Sequence, residues 1–66
     1  MTREAVSLFS DLVKASPQNA LYRYHYGMAL SQKGDKAAAR REFEAALHNN
    51  PSRDDAGKIQ DLLKQL

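Results

Sequence analysis

The 66-residue sequence predicts an all-α fold, an antiparallel helix-turn-helix array of about four helices. Apolar residues recur at the three- and four-residue spacing of a helix, and no stretch alternates as a strand would. Strong breaks occur only at Pro17, at Pro51 and at the Gly34-Asp35 pair, and these breaks leave four segments of helical length. We therefore expect one helical domain over residues 1–66.

The first segment, residues 2–16, has the pattern of an amphipathic helix. Polar side chains occupy one side, and the other side is apolar. The apolar positions are Ala5, Val6, Leu8, Phe9, Leu12 and Val13.

The second and third segments predict a helical hairpin. Asn19 can cap a helix over residues 20–33, and Gly34 can end that helix in the left-handed conformation that glycine tolerates. Asp35 can then cap a helix over residues 36–49. Because the turn between them is only two residues long, the two helices should be antiparallel neighbours.

The last segment predicts a helix with a single apolar stripe. Ser52 and Asp55 have the spacing of a capping box, with Asp in the acidic position. Polar residues surround the stripe, which consists of Ile59, Leu62, Leu63 and Leu66.

Composition excludes several function classes. The chain has no cysteine, so it can hold neither a disulfide nor a thiolate metal site, and its two histidines, His25 and His48, lack metal-ligand spacing. No nucleophile turn or phosphate-binding glycine loop is present, and no apolar run is long enough to span a membrane. We therefore expect no enzymatic activity, no cofactor and no membrane contact. The location is unknown; it is cytoplasmic by default, and periplasmic if the chain is cut from an exported protein.

An internal repeat is visible when residues 2–18 are placed over residues 36–52. Four pairs then coincide, each separated by 34 positions: Ala5 with Ala39, Phe9 with Phe43, Val13 with Leu47, and Pro17 with Pro51. A helix-turn-helix unit with this period, with Gly27, Ala39, Phe43 and Pro51 at their places, resembles the tetratricopeptide repeat (TPR) family.

The resemblance implies a division of the chain. Residues 20–53 would be one full repeat, 1–17 the second helix of a partial repeat, and 52–66 a capping helix. Gly27 and Ala39 would let two helix backbones approach closely beside Phe43. Arg23 stands where the family has tryptophan, so we expect only its aliphatic stem to pack.

The family resemblance also implies a non-enzymatic scaffold or adaptor that binds a protein or peptide. The first helix of each repeat lines a concave groove in such domains, and the corresponding positions here are Leu21, Tyr24, Met28, Ser31 and Gln32. Tyr24 is expected to be an exposed anchor, although Leu21 and Met28 could instead only pack on the preceding helix. The lysine and asparagine that clamp a terminal carboxylate in some TPR domains are absent here.

Two other surfaces require an interpretation. The first helix lacks its repeat partner, so Leu8, Phe9 and Leu12 predict an alternative role as a self-associating structural element that forms a homo-oligomer. Basic residues cluster near the central turn, but Glu44 follows Arg40 by four positions. We therefore expect a solvated face with intrahelical ion pairs, and no nucleic-acid binding. The cluster consists of Lys33, Lys36, Arg40 and Arg41.

Overall fold

The computed structural model describes residues 2–66, and Met1, which the predicted ranges 1–17 and 1–66 include, lies outside the described residues. The described part contains four helices and no strand, which confirms the predicted all-α array. The helices are α1 (Thr2–Ala15), α2 (Ala20–Lys33), α3 (Lys36–His48) and α4 (Arg53–Gln65).

Three of the helices start at capping side chains that the sequence predicts. In each case a side-chain oxygen accepts a hydrogen bond from the backbone N–H three residues later, which satisfies one of the free donors of the first turn. The bonds run from the backbone amides of Tyr22, Ala38 and Asp55 to the side chains of Asn19, Asp35 and Ser52, and each is 3.1 Å long.

Gly34 ends α2 in the left-handed conformation, with φ at +99°. Its N–H donates to the carbonyl of Leu30 at 3.1 Å, and the N–H of Asp35 donates to the same carbonyl at 2.9 Å. These bonds satisfy carbonyls that a helix end leaves free. The chain therefore reverses within two residues, and α3 runs back along α2 as predicted.

The helices pack in chain order. The contact between α2 and α3 is the most extensive, followed by the contact between α1 and α2, and α4 covers α3 more loosely. The inner helices α2 and α3 thus each have a neighbour on both sides, whereas α1 and α4 form the flanks.

Phe43 on α3 is the centre of the core and is 0% exposed. It lies directly against Gly27 of α2, where an added Cβ would be 2.6 Å from one ring carbon and 2.7 Å from another. The equally buried Ala39 and Ala46 place only methyl groups on α3, and Ile59 of α4 joins the same cluster. Small residues therefore permit the close helix approach that the sequence predicts.

Arg23 forms an ion pair and a hydrogen bond that were not predicted from the sequence. Its Nη1 atom lies 2.9 Å from Oε1 of Glu42 on α3, and its Nε atom donates to the carbonyl of Pro17 at 2.8 Å. Because the planar guanidinium presents several donors, one side chain can bind both partners. The prediction that only the stem of Arg23 contributes was therefore incomplete.

Candidate functional site

The predicted groove positions on α2 differ widely in exposure. Leu21 is 47% exposed and is one of the exposed large hydrophobic residues of the described chain. Gln32 at the other end of the helix is also exposed, and Met28 and Ser31 are half-buried. These four side chains can be reached from solvent.

Tyr24 is the exception among the predicted groove residues. It is only 9% exposed and belongs to the core cluster, with its ring 6.5 Å from that of Phe43. The helix turns by about 100° per residue, so Tyr24 is rotated about 60° from the line through Leu21 and Met28, toward the core. The expectation that Tyr24 is an exposed anchor was therefore wrong.

His25 belongs to the accessible face of α2 and was not predicted from the sequence. Leu21, His25, Met28 and Gln32 follow the spacing of one helical stripe, which we call the α2 stripe. The half-buried imidazole stacks on Phe9 of α1, with ring centroids 5.6 Å apart. The four-residue spacing from Leu21 was the signal that could have identified it.

A second apolar surface lies on α1. Leu8 is 56% exposed, and it and Leu21 are the exposed large hydrophobic residues of the described chain. Phe9 and Leu12, the other two residues predicted for self-association, are half-buried. The α1 surface is thus an exposed leucine beside a partly covered apolar face.

Cations collect at the end of the molecule where α2 ends and α3 begins. Lys33, Lys36 and Arg40 are all exposed there. Arg40 does not form the expected ion pair with Glu44; instead its Nη2 atom donates to the backbone oxygen of Leu66 at 3.4 Å. The prediction of an intrahelical pair was wrong because this arginine turns toward α4.

The α2 stripe, the α1 surface and the cations near the central turn are all exposed surfaces. Within residues 2–66 no pocket forms and no three metal-binding side chains come together. None of the described helices is long and apolar enough to cross a membrane.

Four helices in chain order, a two-residue turn with Gly34 in the left-handed conformation and a glycine packed against a phenylalanine define an array of helical hairpins. The family model of the tetratricopeptide repeat matches residues 1–66, and the chain belongs to this family. Repeats of this family generally mediate protein–protein interactions and are generally not catalytic. No match to the chain was found among curated proteins or among solved structures.

Proposed function

We propose that the chain is a non-enzymatic interaction module that binds a peptide or a helix of another protein along the α2 stripe. The observation that carries this proposal is the 47% exposure of Leu21 at one end of a stripe that continues through His25 and Met28. A large apolar side chain exposed to water favours contact with a partner, because the contact removes its apolar surface from water.

The α2 stripe has a suitable size and chemistry for such a partner. From Leu21 to Gln32 it extends roughly 16 Å along the helix, about the length of five extended residues. Leu21 offers an apolar anchor, and the flexible thioether of Met28 can adapt to different side chains. Ser31 and Gln32 can donate and accept hydrogen bonds at the far end.

The experiment is a selection of a random 12-residue peptide library on the purified chain, followed by calorimetric titration of the most enriched peptide. Leu21→Glu should weaken binding at least ten-fold, since a charge replaces the anchor. Leu8→Glu is the matched control, because it places the same charge on the other exposed leucine. A peptide whose binding survives Leu21→Glu would contradict the proposal.

A second candidate function is self-association through the α1 surface, favoured by the 56% exposure of Leu8. Asp11 follows Leu8 by three positions on the same helix face, so two copies meeting there would bring their Asp11 carboxylates together. Salt should therefore strengthen this association by screening the repulsion. Light scattering should show a dimer that Leu8→Glu converts to a monomer, and a monomer at about millimolar concentration in high salt would exclude this role.

The division of the chain that the sequence predicts is also part of our proposal: 1–17 as a partial repeat, 20–53 as a full repeat, and 52–66 as a cap. The polar side of α4 supports the cap. Asp61 is exposed and lies 34 positions after Gly27, so a further phenylalanine-bearing helix would meet a carboxylate there. An array that continued beyond α4 would need a small residue at this position.

A further inference from the structure

The cations at one end of the molecule form a patch that we call the basic end, and it comprises Lys33, Lys36, Arg40 and Lys64. Lys33 closes α2 and Lys36 opens α3, so the two-residue turn holds them together. The contact of Arg40 with the backbone oxygen of Leu66 brings the C-terminal end of α4, which carries Lys64, to the same place. All four side chains are exposed.

Nearby carboxylates offset the charge of the basic end only in part. Glu42 forms an ion pair with Arg23 of α2. Asp35, the acidic residue in the turn itself, accepts the N–H of Ala38 at the start of α3 and keeps its negative charge, so it offsets one of the four cations. Within the described residues no carboxylate side chain lies within ion-pair distance of Lys33, Lys36 or Lys64.

The α2 stripe and the basic end meet at the same end of the molecule, where α2 ends. Its last residue, Gln32, immediately precedes Lys33. A segment that lies along the stripe and anchors an apolar side chain near Leu21 would therefore pass the unpaired cations as it leaves the surface.

We propose that the partner is a peptide segment that carries apolar side chains followed, or preceded, by a cluster of Asp or Glu, with the acidic part placed at the basic end. This inference rests on the proposed function, because it specifies the ligand of the same surface. Exposed cations steer an anionic partner and fix its direction on the surface, and each contributes modestly to affinity.

A peptide fits these observations better than a nucleic acid. Binding of single strands without sequence preference uses exposed aromatic rings beside the cations. Here the tyrosines of α2 are half-buried or buried, and the exposed large apolar side chain of this helix is the aliphatic Leu21. An apolar stripe that ends in cations complements an apolar segment with an acidic flank.

The experiment uses the library-selected peptides and two matched double variants. Lys33→Gln/Lys36→Gln removes two cations from the basic end and spares Arg40, which contacts Leu66. Lys14→Gln/Arg53→Gln removes two exposed cations from the opposite end, so both variants have the same net charge.

The selected peptides should be enriched in Asp and Glu on one side of an apolar residue. Titration calorimetry in low salt should show binding roughly five-fold weaker for Lys33→Gln/Lys36→Gln and almost unchanged for the control pair. The difference should shrink at about 0.5 M salt, where the Debye length falls to about 4 Å.

Failure of this inference is distinguishable from failure of the proposed function. Peptides that require Leu21 but show no acidic enrichment, or that bind both double variants equally well, overturn the acidic partner and leave the stripe intact. Peptides that bind independently of Leu21 overturn both. Binding of a random-sequence oligonucleotide that Lys33→Gln/Lys36→Gln abolishes would assign the basic end to nucleic acid and overturn the inference.

Discussion

Phe9 on α1 and Phe43 on α3 stand 34 positions apart at equivalent places of the repeat, yet their surroundings differ. Phe43 is 0% exposed and lies against Gly27, with helices on both sides of α3. Phe9 is half-buried and stacks on His25, because α1 packs mainly against α2 among the described helices.

This difference shows that the repeat pattern specifies a helix and its apolar face, whereas neighbouring helices determine how much of that face is buried. The inner hairpin of α2 and α3 supplies most of the core, and the flank at α1 leaves apolar surface exposed at Leu8.

The largest expected effect comes from truncating the two phenylalanines. Phe43→Ala should cost about 3–5 kcal/mol, because it leaves a cavity in a fully packed core. A chain of this length has a total stability of roughly 3–10 kcal/mol, so this variant should be largely unfolded. Phe9→Ala should cost only about 1–2 kcal/mol, since less surface is buried there. Urea denaturation followed by circular dichroism measures both, and equal losses would contradict the comparison.

Alanine substitutions at two glycines test the comparison between the inner hairpin and a flanking helix, α4. The two changes in stability should have opposite signs. Gly27→Ala should destabilise by about 1–2 kcal/mol, since the new methyl group collides with the buried ring of Phe43. Gly57 in α4 has nothing within 4 Å of an added Cβ, so Gly57→Ala should stabilise by about 0.5–1 kcal/mol through helix propensity. Thermal melts of the two variants provide the test, and a higher midpoint for Gly27→Ala would show that the close approach is not required.

Most of the fold could be predicted from the sequence because its signals are local. Asn19, Asp35 and Ser52 are capping residues within three positions of the amides they bind, and Gly34 ends a helix through its own backbone. The resemblance to the tetratricopeptide repeat added a non-local feature, the approach of Phe43 to Gly27.

The candidate site was harder to predict because exposure depends on how helices are rotated against one another. Tyr24 was expected outside and lies inside, beside Phe43. The ion pair between Arg23 and Glu42 joins two helices, so the spacing of residues along one helix could not predict it. The contact of Arg40 with Leu66 likewise joins residues 26 positions apart.

The smallest expected effects concern ion pairs, the one observed between Arg23 and Glu42 and the one expected between Arg40 and Glu44. A double-mutant cycle with Arg23→Met and Glu42→Gln should give a coupling of about 0.5–1 kcal/mol, because the pair is partly shielded from water. The same cycle for Arg40 and Glu44 should give less than about 0.3 kcal/mol, since no contact joins them. Urea denaturation of the unmodified protein and the six variants supplies both couplings, and a larger value for the second pair would restore the intrahelical interpretation.

The central claim is that the α2 stripe, and not the α1 surface, binds the partner. The most direct measurement is a map of backbone amide chemical shifts by NMR during titration with the library-selected peptide. We expect the largest shifts on α2, at Leu21, His25, Met28 and Gln32, with further shifts at Lys33 and Lys36. Largest shifts centred on Leu8 and Leu12 of α1, with α2 unchanged, would contradict it.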